Sequence, residues 1–181
     1  MKKNVILYIL ALVLCFAVGC GGALVLRYVD ATEITPMAGG QTWDLSTFGF
    51  TMRVPEDAVI ADHTRENAEL GGNALYAGSS TGKDGALYLF CYANETGDSL
   101  KDYGDQDVVS YYMSAGAESV RTRIISDRKF ICYRAYVLTE EGEQAWDTYE
   151  TWDEMLQITF ETQMDESVVL PMLATLKFST N

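Results

Sequence analysis

Between Ser119 and Thr162 the chain reads as four strands joined by connectors of only two or three residues. The strands are Ser119 to Ser126, Lys129 to Thr139, Glu143 to Trp152 and Met155 to Thr162. Connections this short cannot return a strand in parallel, so consecutive strands must pair antiparallel. Two-residue turns at Asp127-Arg128 and Asp153-Glu154, with a three-residue loop over Glu140 to Gly142, set a register. That register places Val120, Thr122, Ile124, Ile131, Tyr133, Ala135, Val137, Ala145, Asp147, Tyr149, Thr151, Leu156, Ile158 and Phe160 on one face. The face is apolar almost throughout, with Asp147 its uncomfortable member.

The flanks add shorter elements. Phe50 to Val54 alternates and stops at Pro55, which predicts a strand. A short helix is expected around Thr64 to Leu70, ended by Gly71-Gly72. Ala74 to Ala77 and Ala86 to Tyr92 read as a hairpin around a loop from Gly78 to Gly85. Asp105 is placed to cap a helix from Gln106 to Ser114, with Val108, Val109, Tyr112 and Met113 on its apolar side. Asp165 to Thr175 predicts a helix interrupted by Pro171. The expectation is an α+β domain with an antiparallel sheet of about six to seven strands and helices packed on it.

The second sheet face carries the candidate site. The same register groups Arg121, Arg123, Arg134, Tyr136, Trp146, Glu150 and Trp152 there, with Phe130, Cys132 and Met155. Tryptophan and arginine dominate binding hot spots, and guanidinium groups suit a carboxylate. The expected ligand is therefore a protein segment or a carboxylate-bearing molecule. The bland alternative is a helix lying across Trp146, Trp152 and Met155, with the arginines paired to native carboxylates. A groove left open favours binding, and a helix packed flush favours a scaffold.

The N-terminus sets location. Lys2 and Lys3 precede an uncharged, mostly apolar run from Val5 to Leu26. Ala17-Val18-Gly19-Cys20 resembles a bacterial lipobox, which implies cleavage before Cys20 and acylation of its thiol. Alternatively the whole run is an uncleaved transmembrane helix, for which about 20 apolar residues suffice. Lysines stay inside in both cases, so the remainder faces outward. Residues 1–30 are thus expected to be a signal peptide or anchor, 31–41 a linker and 42–181 a single extracytoplasmic domain.

The net charge is −13 over 181 residues. Setting aside Lys2 and Lys3 makes the exported part more acidic still, which argues against nucleic acid as a partner. It also argues against attachment to anionic lipid through the domain itself. Of four cysteines, Cys91 and Cys132 fall in strand-like segments, either as buried thiols or as a disulfide.

Several motifs bear on catalysis or metal binding. Gly78-Ser79-Ser80-Thr81-Gly82 matches G-x-S-x-G, but that motif needs a strand-to-helix elbow and an available histidine. The one histidine, His63, sits in a polar segment and reads as an exposed loop residue. Its neighbours Asp62 and Glu66 make a weak metal set. Asp98, Asp102, Asp105 and Asp107 do not follow calcium-loop spacing. No catalytic residue, metal or cofactor is assigned from the sequence.

The layout resembles the PsbP-like domains of bacterial membrane-anchored surface lipoproteins. Phe48 to Pro55 as opening strand, Asp107 to Met113 as central helix, the strands Ser119 to Thr162 and the closing Leu170 to Phe178 carry the resemblance. It implies an antiparallel sheet with helices on it, and accessory or binding roles without shared catalytic residues. The expected function is a non-catalytic, membrane-anchored binding or accessory module on the extracytoplasmic side of a bacterial membrane. A structural scaffold lipoprotein is the alternative, and a hydrolase is the third.

Overall fold

A computed structural model describes residues 29–30, 32–139 and 142–179. Apart from Val29 and Asp30, the expected anchor, including Cys20, lies outside the described residues. Among the described residues no helix is long and apolar enough to cross a membrane.

The fold is α+β with two sheets. The strands run β1 (Val29–Asp30), β2 (Gln41–Leu45), β3 (Phe50–Val54), β4 (Val59–Asp62), β5 (Tyr76–Gly82) and β6 (Gly85–Ala93). They continue as β7 (Glu118–Ile125), β8 (Arg128–Thr139), β9 (Gly142–Trp152), β10 (Leu156–Thr162) and β11 (Lys177–Phe178). The helices are α1 (Thr64–Glu69), α2 (Asp105–Ser114) and α3 (Glu166–Leu173). The large sheet has the order β1-β7-β8-β9-β10-β6-β5-β4, and the small one β11-β3-β2. Every pairing is antiparallel except β1 on β7.

The strand run from β7 to β10 is a meander, as its short connectors require. Its first turn falls at Ser126-Asp127 rather than one residue later, and both residues have positive φ, 49° and 61°. Two such residues in succession match the right-handed twist of the flanking strands. The expected loop over Gly78 to Gly85 is mostly strand, since Gly82 pairs with Gly85 around Lys83-Asp84. Strands β2 and β4 were not anticipated. In β2 only Trp43 and Leu45 carry the inward pattern, and β4 is a partly exposed edge.

One face of the large sheet forms the main core. Leu87, Leu89, Cys91, Phe130, Cys132, Tyr149, Ile158 and Phe160 meet Trp43, Leu45, Phe50, Met52 and Val54 of the small sheet and Val169, Leu170, Met172 and Leu173 of α3. Helix α3 begins where expected: the Asp165 carboxylate accepts from Ser167 N–H at 2.8 Å. Pro171 is tolerated inside it, and its carbonyl accepts from Met37 N–H at 2.8 Å. Ile34 and Met37 also pack on the core, so part of the stretch expected as a linker is docked. Cys91 and Cys132 are buried without a disulfide. They stand three strands apart, roughly 14 Å by strand spacing, which exceeds the reach of a disulfide. Burial pushes the Cys91 thiol up to about 12, so it is an inert packing group.

Candidate functional site: an acidic, aromatic sheet face

The mixed arginine–tryptophan face does not form. Thr139 pairs with Gly142, so only two residues separate β8 from β9, not three. Ile131 consequently faces Glu150, and Arg134 faces Asp147. A slip of one residue turns every side chain of the later strand over. Trp146, Glu150 and Trp152 therefore share a face with Ile131 and Tyr133, while Arg121, Arg123, Arg134 and Tyr136 lie on the core side.

The arginines serve the fold. On the core side Glu166 Oε1 accepts from Arg121 Nη2 and, at 2.9 Å, from Arg123 Nη1. Arg134 makes a two-pronged contact with Asp147, Nε to Oδ1 at 2.8 Å and Nη2 to Oδ2 at 3.0 Å. That pair explains Asp147, which looked misplaced on an apolar face. Tyr136 is exposed near a strand end and donates to Glu118 Oε2 at 3.0 Å. Native carboxylates thus already partner the arginines expected to hold a carboxylate ligand, and Arg121 and Arg134 still line an open cavity of about 460 Å³ together with Asp147 and Glu166.

The opposite face is only partly covered. Helix α2 lies over one end, where Val108, Val109, Leu100, Val120 and Ile131 form a second small core with Tyr112, Tyr133 and Trp152 at its edge. Trp146 is not under it. Its ring packs edge-on to Tyr88 at 5.6 Å between centroids, across β10. Met155, expected beneath a helix, is 79% exposed in the β9–β10 turn. Beyond α2 the half-buried rings of Tyr88, Phe90, Tyr92 and Trp146 stand open to solvent.

Two carboxylates sit among these rings. Glu150 is only 6% exposed. Its Oε1 accepts from Tyr112 OH and Gln157 Nε2, each at 2.8 Å, and its Oε2 from Tyr133 OH at 3.1 Å. All three donors are neutral. Burial raises the Glu150 pKa above the usual carboxylate range, and the three hydrogen bonds only partly oppose that. Glu161, diagonal to it on the adjacent strand β10, is raised by burial first and then by the Glu150 charge. Burial and the Glu150 carboxylate likewise push up the Tyr112 and Tyr133 hydroxyls. Glu150 forms the floor of a cavity of about 540 Å³ walled by Tyr103, Tyr111, Tyr112, Trp152 and Gln157.

A stability test follows from Glu161. A carboxylate whose folded pKa is raised stabilises the fold while protonated and loses that contribution as pH rises through the folded value. Glu161→Gln should therefore raise Tm at pH 7 by about 3 °C, on the scale of roughly 1 kcal/mol in a domain of this size. The two proteins should converge near pH 4, where the native carboxyl is neutral. Thermal melts at both pH values check this, and a variant less stable at pH 7 would contradict it.

The set-aside motifs resolve differently. Asp98 accepts from Thr96 Oγ1 at 2.7 Å and from the Tyr103 hydroxyl, and Asp105 pairs with Lys129 at 2.6 Å. Among the described residues no three His, Cys, Asp or Glu side chains gather as metal ligands. His63 is half-buried rather than an exposed loop residue, and it contacts Ser79 and Glu66 at the far end of the same face.

No protein-family model matches the chain, and no curated protein matches it. Among solved structures it is similar to a crystal structure from Bacteroides thetaiotaomicron VPI-5482, with a TM-score of 0.53 and 12% identity. The match covers 80% of this chain and 50% of that one, so the chain spans about half the length of that neighbour. At this identity the likeness concerns the fold alone.

Proposed function

We propose that the chain is a membrane-anchored binding module on the extracytoplasmic side of a bacterial membrane, and that it takes a cationic side chain of a partner polypeptide on the acidic, aromatic face. The location rests on Lys2 and Lys3 ahead of the apolar run to Leu26. The observation that carries the ligand class is Glu150: a buried carboxylate held by three neutral donors at the floor of an aromatic-walled cavity. An ammonium or guanidinium entering there gains the carboxylate, the neighbouring Glu161 and the faces of tyrosine and tryptophan rings. The net charge of −13 favours the approach of such a partner. The open stretch beyond α2 favours this reading over a scaffold without ligand.

The test is calorimetry on the full chain in nanodiscs, with a lysine-rich decapeptide and its glutamate-substituted counterpart. The lysine peptide should bind, and the glutamate peptide should not. Glu150→Gln combined with Glu161→Gln should weaken binding at least about tenfold. Arg134→Ala should leave it unchanged. Because both carboxyl pKa values are raised, affinity should fall from pH 7 to pH 5 as the acids take up protons. Preference for the glutamate peptide, or full affinity in the double variant, would sink the proposal.

A further inference from the structure

The far end of the acidic face holds a second arrangement, 16 residues apart in sequence. Ser79 is the residue before the central serine of the G-x-S-x-G pattern, and it is 4% exposed on β5. Its Oγ lies 2.9 Å from His63 Nε2. The other ring nitrogen, Nδ1, lies 3.2 Å from Glu66 Oε2 on α1. The imidazole is therefore held from both sides, by a hydroxyl and by a carboxylate. With its proton on Nδ1, facing the largely exposed Glu66 carboxylate, the ring presents Nε2 as acceptor for the serine proton. Ser80, which the pattern itself would nominate, is buried on the core side, and its Oγ has no hydrogen-bond partner among the described residues.

These three groups line a solvent-open surface cavity of about 560 Å³, whose rim carries the exposed Val59 and Leu70 beside Ala61 and Phe90. The wall also carries Asn67, whose Oδ1 accepts from Ala74 N–H at 3.3 Å, leaving its Nδ2 as an amide donor. Nucleophile, base, orienting carboxylate and apolar acyl space are the parts of a serine acyl-transfer site.

We propose that Ser79 is a nucleophile activated by His63, and that this end of the face cleaves small apolar carboxylic esters. The Ser79 oxygen bonds to the ester carbonyl carbon, and its proton passes to His63 Nε2. The carbon–alkoxy bond breaks, and His63 returns that proton to the departing alcohol. A water molecule, deprotonated by His63 Nε2, then adds to the acyl carbon, the bond from that carbon to the Ser79 oxygen breaks, and His63 returns the proton to that oxygen, so that ester and water become acid and alcohol. Glu66 is a positioning residue that holds the ring.

The test is labelling of the full chain with an alkyl fluorophosphonate, in which a serine–phosphorus bond forms and fluoride leaves. Mass spectrometry should locate the adduct on Ser79. His63→Asn keeps a residue suited to the start of α1 but removes the base, so labelling should slow at least about 100-fold. Glu66→Gln, which retains an acceptor, should stay within about threefold, while Glu66→Ala should lose about tenfold. Circular dichroism on each variant separates loss of reactivity from loss of fold. An adduct on another residue, equal labelling in His63→Asn, or no labelling of the folded protein would overturn the proposal. Arg134→Ala, on the core side of the sheet, should label normally, and labelling is read with no peptide present, so this activity and the cation-binding reading fail separately.

Discussion

Glu166→Ala should cost the domain about 2–4 kcal/mol, read as a lowered urea midpoint with unchanged m. Glu166 stands in the first turn of α3, directly after the Asp165 cap. Its one oxygen receives both Arg121 and Arg123, and Arg123 is 5% exposed. Breaking a buried ion pair from one side leaves a desolvated charge, which costs more than the pair contributes. Glu166 itself is 40% exposed, so the loss sits below the range for a fully buried pair. A carboxylate in the first helical turn adds a favourable dipole contact, which the variant also loses. Glu166→Gln keeps the acceptor and should recover about half. A loss under about 0.5 kcal/mol would mean that other groups or solvent compensate the arginines, and that α3 is not fastened through them.

Phe160→Ala should cost about 3–5 kcal/mol, the scale for emptying a buried aromatic site. Phe160 has no exposure and sits between Tyr149 and Leu89 on the core face. Its strand neighbour on the other side of the ladder, Thr159, faces Phe90. Phe90→Ala, on the open face, should cost less, about 1–2 kcal/mol, because its ring is already partly in water. The contrast checks which face is core. Equal costs would show that the open face is covered in solution.

The strand run and its antiparallel sense were legible because connector length alone dictates them. The faces were not, and the reason is local. Glu140-Glu141-Gly142 fits either a three-residue loop or a two-residue loop with Gly142 in the strand, and the choice reverses β9 and β10 together. The hydrophobic pattern offered no correction, because both sides of β9 carry large rings, Trp146 and Trp152 on one and Tyr149 on the other. Asp147 was the signal that pointed the right way. A carboxylate stranded on an apolar face fits better beside Arg134, and that pairing requires the two-residue loop. The turns of the other two hairpins also moved, but by an even number in the pairing sum, so their faces survived. The Ser79–His63 contact was invisible for a different reason. It depends on β5 extending through the Gly- and Ser-rich stretch and on α1 following edge strand β4, which neither composition nor spacing discloses.

Val29 and Asp30 pair with Thr122 and Arg123 on the free edge of β7. Between Leu26 and that pairing stand only Arg27 and Tyr28, a span of about 7 Å at full extension. An anchor ending at Leu26 would then act as a hinge pin rather than a leash. The domain would turn about its β7 edge close to the lipid, with little freedom to drift away. The sheet's opposite end, β5 and β4 with the His63 cavity, would project farthest outward. Glu150 would lie nearer the pivot, within reach of a partner standing in the same membrane.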